Sequence, residues 1–192
     1  MGFFDSLKKA AGDVATGAVN ALGNQKKEFV FEAIPTTLDE LKARPEANLQ
    51  DPFGVAALTA VALNLYPVNA DLCLAMLNFL KGPESLSPMD ASFIKDRFMD
   101  GDYVPRSYFK GATPANSYEP STPYTVEVTQ TSHSKDMGAD YFTLYLQSGG
   151  ADSPRPVSFR KKASTGEWFL WSDSYKGLLA GIRIPAAANP WA

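Results

Sequence analysis

Any nucleophile–base pair that uses a thiol or an imidazole must draw on one cysteine, Cys73, and one histidine, His133. A hydroxyl or thiol becomes a useful nucleophile only beside a base that takes its proton. His133 stands in the polar stretch Thr131-Ser132-His133-Ser134-Lys135, where an imidazole is ordinarily solvated. Cys73 falls inside an apolar run that reads as a buried helix, and a thiol there is inert. A single cysteine forms no disulfide within the chain and no multi-cysteine metal site. Carboxylates spaced for a hard cation occur at Asp96, Asp100 and Asp102, the first two four apart on a helix. They lack calcium-loop spacing, and Arg97 sits alongside, so they read as a solvated helix end with Asp102 capping a turn. No metal and no cofactor is expected, and the chain reads as a non-enzyme rather than an enzyme.

Recognition chemistry is better represented. Tyr103-Val104-Pro105-Arg106-Ser107-Tyr108-Phe109 offers rings, a guanidinium and a hydroxyl within a short proline-rich stretch. Tyrosine and arginine are enriched at recognition surfaces because they join area to hydrogen bonding; the competing reading is that the rings cover the core. Ser148-Gly149-Gly150-Ala151-Asp152 follows a strand but has neither the lysine of a P-loop nor the third glycine of a dinucleotide fingerprint. It reads as a β connection, with a binding loop using Asp152 and Arg155 as the alternative. The candidate binding residues are Arg106, Tyr108, Tyr118, Asp152 and Arg155, gathered by loops at one end of a sheet. The expected function is a non-enzymatic binding or protein-interaction module; the alternative is a small-molecule-binding or enzymatic domain with a pocket between sheet and helices.

Helices and then strands must position these residues. Phe3, Phe4, Leu7, Ala11, Val14, Ala18 and Leu22 recur at helical spacing, and Gly23-Asn24-Gln25-Lys26-Lys27 reads as a stop and linker. Residues 1–28 are therefore expected to be an amphipathic helical appendage with its linker, and residues 29–192 a single α+β domain. Phe29, Phe31 and Ile34 suit a short strand or extended arm. Thr37 with Glu40 makes a capping box, and Asp51-Pro52 opens a helix over 53–66 that is apolar nearly all round and so central. Further helices are expected over 71–80 and from Ser87-Pro88 onward. Alternating residues then mark strands at Tyr124-Val126-Val128, Phe142-Leu144-Leu146, Val157-Phe159 and Trp168 to Trp171. The fold class is α+β: N-terminal helices packed on a C-terminal antiparallel meander of about four strands.

The net charge of −3 argues against a nucleic-acid partner, since phosphate binding needs a concentrated basic surface. The chain shows no secretory pattern, and polar residues and Pro67 interrupt the apolar region 53–80, so a cytoplasmic protein is expected. The N-terminal helix needs a surface to lie on: a protein partner or a second copy, with peripheral membrane contact as a further option through Phe3, Phe4, Leu7, Lys8 and Lys9. Met1-Gly2-Phe3-Phe4-Asp5-Ser6 also fits the short myristoylation pattern.

From Phe29 onward the chain resembles an uncharacterised bacterial family, a domain of unknown function. The stretches that carry the resemblance are Pro52-Phe53-Gly54-Val55-Ala56-Ala57-Leu58, Tyr103 to Phe109 with Gly111-Ala112-Thr113-Pro114, and Ser148 to Pro156, with Asn189-Pro190-Trp191 at the end. The resemblance implies no catalytic residue, because the family has no assigned activity. The order of helices and strands is also loosely similar to nuclear-transport-factor-like cups, a likeness of fold that carries no function.

Overall fold

A computed structural model of the chain describes residues 18–19, 24–99 and 101–191. Ala18–Val19 is a two-residue strand, β1; β2 is Gln25–Phe31. Four helices follow: α1 (Leu38–Lys42), α2 (Pro52–Asn64), α3 (Ala70–Lys81) and α4 (Pro88–Met99). Strands β3 (Tyr124–Thr129), β4 (Tyr141–Leu146), β5 (Arg155–Lys161) and β6 (Trp168–Leu170) complete one antiparallel sheet in the order β1-β2-β3-β4-β5-β6.

The centre is α2. Asp51 caps it, its carboxylate accepting from the Phe53 amide at 3.0 Å, and Pro52 occupies the first helical position, where its missing N–H costs nothing. Every residue from Pro52 to Leu63 is buried. A helix with no polar face cannot lie on a surface; it must be surrounded. Strands β2, β3, β4 and β6 all pack against α2, and α3 covers another side. The strands from β2 to β6 accordingly curl into a half-barrel around it.

This corrects the expected C-terminal antiparallel meander of about four strands: the curled sheet has five strands from β2 to β6. The sheet has a further long strand, β2, which precedes all the helices and pairs with β3 from Lys26↔Thr129 to Phe31↔Tyr124. Its apolar alternation is confined to Phe29 and Phe31, and its partner lies far downstream, so local periodicity hides the pairing. Residues 25–28, read as linker, form the first half of that strand. The helix expected over residues 1–22 lies outside the described residues, apart from Ala18–Val19, which pair with Lys26 and Gln25.

The other helices end where their sequences direct. Asn69 caps α3 by accepting from the Leu72 amide at 3.0 Å, and Gly82, at φ 60°, turns the chain away. Ser87 and Asp90 form a reciprocal box at the start of α4: the Asp90 amide donates to Ser87 Oγ at 3.1 Å, and the Ser87 amide donates back to the carboxylate at 2.9 Å. Lys176 ties the same carboxylate to the turn Ser174–Leu179 at 2.7 Å. Burial alone would raise the Asp90 carboxyl; the hydrogen bonds from Lys176 and Ser87 outweigh it and hold the group well below the usual carboxylate range. Among the described residues, no helix is long and apolar enough to cross a membrane.

Candidate functional site

Four of the five residues expected at a binding surface hold the chain's own C-terminal segment. Tyr108 is buried and donates its hydroxyl to the Leu178 carbonyl at 2.8 Å. Tyr118, also buried, donates to the Arg183 carbonyl at 2.6 Å and stacks on Tyr103 with ring centroids 5.2 Å apart. Arg155 Nη2 donates to the Gly181 carbonyl at 2.6 Å, and Asp152 pairs with the Arg183 guanidinium. Burial pushes the Tyr108 phenol far above its ordinary range, with Arg155 opposing, as it also raises Tyr118. Arg106 stands apart from this set, in a two-pronged pair with Asp102 at 3.1 Å on each arm. These loops do gather at one end of the sheet, where they clasp a strap formed by residues 178–183.

The glycines of the 148–150 loop serve the same clasp. The Gly149 amide donates to the Ser107 carbonyl at 2.8 Å, and Ser148 Oγ donates to Ser107 Oγ at 2.8 Å. A methyl group on Gly149 would overlap the Ala112 carbonyl, and one on Gly150 would meet the Tyr118 hydroxyl. The Gly150 carbonyl accepts from the Arg183 amide at 2.9 Å. The motifs around Arg106 and Gly149 thus meet each other, and their unusual composition answers a packing demand. A small open cleft of about 250 Å³ lies beside them, but Ser107 and Ser148 there satisfy one another, and Lys110 is paired with Glu28 at 2.5 Å.

The remaining chemical candidates are dispersed. His133 is exposed, with Nδ1 2.9 Å from Asp136. Cys73 is buried, and burial pushes its thiol up to about 12. Asp100 lies outside the described residues, and Asp102 is engaged by Arg106. Among the described residues, no group of three acidic, histidine or cysteine side chains is placed to hold a metal.

A second cleft is differently made. An open cavity of about 340 Å³ lies over the outer face of β4, β5 and β6, walled on one side by Lys81, the last residue of α3, and by Pro83 and Glu84 just after it. Cross-strand register builds it: Tyr141 pairs with Arg160, and Arg160 with Phe169, setting the three in one row on the face opposite the core residues Phe142, Phe159 and Leu170. Trp171, beyond β6, turns its edge to Tyr141 with centroids 4.9 Å apart. The Arg160 guanidinium lies 5.7 Å from the centre of the Tyr141 ring. Its nearest carboxylate, Glu84, is 3.8 Å away and exposed. Lys162 extends the basic lip, with Asp140 beside it, while the Lys161 ammonium lies over the Trp168 ring on the other face of the sheet. Lys81 is spent on structure: its ammonium donates to the Ser172 carbonyl at 2.9 Å and is largely buried.

None of these cleft residues was among the five expected. The signal was partly present: alternation places Arg160 outward opposite Phe159, and Arg160-Lys161-Lys162 is a visible run of cations in an acidic chain. The register that brings Tyr141, Phe169 and Trp171 around that run is not readable from spacing.

Together these features define a class, an α+β domain in which a half-barrel sheathes one apolar helix and leaves an aromatic, basic cleft on its outer face. The chain belongs to the family described as a domain of unknown function, DUF6935, which it matches over residues 33–186. No curated protein matches it, and neither does any solved structure.

Proposed function

We propose that the chain is a non-enzymatic binding module whose working surface is the outer cleft of β4–β6. The observation that carries this reading is the row Tyr141–Arg160–Phe169 with Trp171 closing it. Three large rings stand half-buried on the outer face: Phe169 also packs against the core and Gly82, and Tyr141 and Trp171 pack on each other. Tryptophan, tyrosine and arginine are the residues that most often dominate binding energy, because each combines contact area with a polar tip. A cleft of about 340 Å³ is also of the size that takes a side chain cluster or a small ligand. Glu84 and Asp140 at its rim, with a net charge of −3, weigh against a nucleic-acid polyanion. We place the module in the cytoplasm, a reading supported by its one buried, free thiol.

The test is selection from a library of random displayed peptides against the full chain, with each enriched peptide rebound to Arg160→Ala and Trp171→Ala variants whose melting is checked. Enrichment that either substitution removes is the expected result. Enrichment that neither affects, or no enrichment at all, overturns the reading.

A further inference from the structure

We infer that the partner seated in this cleft is an acidic peptide segment that carries an aromatic or large apolar side chain. The inference rests on the binding reading above and adds the chemistry of the occupant. Charge is the first argument. Arg160 and Lys162 stand on the lip, in a chain whose net charge is negative, while the Lys161 side chain turns to the other face of the sheet. Arg160 reaches Glu84 only at 3.8 Å, with both side chains more than half exposed, 53% and 59%. Lys162 is exposed and has no carboxylate partner within 4 Å among the described residues. These exposed cations lose little water on meeting a carboxylate, and their field steers one toward the cleft. The floor is the second argument. Tyr141, Phe169 and Trp171 offer ring faces and edges that an aromatic or large apolar side chain can cover, and burial of such a group supplies affinity that the rim charges do not.

A single-stranded nucleic acid would also use rings and cations. The mixed rim disfavours it, because Glu84 and Asp140 would face successive phosphates, whereas a peptide presents isolated carboxylates and amide donors that suit both signs. The acidic peptide is therefore the occupant to which the chemistry points.

The displayed-peptide selection separates this inference from the one it rests on. Peptides whose binding depends on Arg160 and Trp171, and which show an excess of aspartate and glutamate around one ring, support both. Cleft-dependent peptides without an acidic excess leave the module standing and overturn the partner. The quantitative arm uses fluorescence anisotropy with a short labelled peptide of glutamates flanking one phenylalanine. Controls are its lysine counterpart, a copy with serine in place of phenylalanine, and oligothymidylate. The glutamate peptide should bind more tightly than all three and weaken as salt is added. Reversing the lip with Arg160→Glu and Lys162→Glu together should cost about tenfold, in the range of mutations at well-placed interface charges, and should turn the preference toward the lysine peptide. Equal binding of the glutamate and lysine peptides, tighter binding of oligothymidylate, or indifference to the charge reversal overturns the inference.

Discussion

Tyr108→Phe should destabilise the fold more than Tyr118→Phe, although each removes one hydroxyl. Both phenols donate to a carbonyl of the strap, at 2.8 Å to Leu178 and 2.6 Å to Arg183. The acceptors differ. Leu178 is fully buried, so its carbonyl is left without a partner once the hydroxyl is gone, whereas Arg183 is exposed and water can replace the lost donor. Stranding a buried polar group costs roughly 1–3 kcal/mol, against about 1 kcal/mol for a bond that water can remake. For a domain of this size each kcal/mol moves the melting temperature by about 2–4 °C. At the middle of the first range, about 2 kcal/mol, Tyr108→Phe should melt roughly 4–8 °C below the parent, and Tyr118→Phe about 2–4 °C below. Calorimetry or circular dichroism reads the difference, with peptide binding at the cleft measured in parallel and expected to be unchanged. If both variants melt like the parent and lose binding instead, the phenols are ligand contacts and the strap account is wrong.

Three further outcomes follow from the packing. Asp90→Asn should cost roughly 2 kcal/mol at neutral pH, the scale of a lost helix cap with a lost partly buried charge pair. Because the folded carboxyl sits below its unfolded value, its stabilisation is present above about pH 4 and drains away as pH falls; urea melts of parent and variant should converge at low pH, and a constant gap would refute the pairing with Lys176. Gly149→Ala should destabilise by about 3 kcal/mol or prevent folding, since its methyl meets the Ala112 carbonyl, an overpacking cost; a parent-like melt would show that the loops do not clasp as described. The full chain should run as a dimer on a sizing column, and the chain without residues 1–17, ahead of β1, as a monomer with an unchanged melting temperature; failure to fold, or equal sizes for the two, would contradict the reading of that segment as a docking appendage.

What the sequence made legible is what local chemistry decides. The apolar run after Asp51-Pro52 announced both α2 and its central place, and the pair Thr37–Glu40 and the step Ser87-Pro88 marked helix starts that the structure contains. Alternation located β3, β4 and β5 and which of their residues face inward. Curvature and the place of β2 escaped, because both depend on wrapping α2 and on a partner strand beyond the helices. What the expected residues touch escaped for a related reason. A tyrosine with a polar tip has the same signature whether its hydroxyl meets a ligand or a backbone carbonyl 70 residues further on, as that of Tyr108 does. The cleft residues Tyr141, Arg160, Phe169 and Trp171 come from three strands and a turn, and only pairing register sets them side by side.

The central claim is that binding occurs at the outer cleft and not at the loops that clasp the strap. It is tested most directly by titrating a selected peptide into the isotope-labelled chain and mapping the perturbed NMR resonances. The account predicts changes at the Trp171 indole and at the amides of Tyr141, Arg160, Lys162 and Phe169, with Arg106, Tyr118, Asp152 and residues 178–183 undisturbed. Changes centred on Arg106, Tyr118 and Asp152, with the Trp171 indole silent, would contradict it.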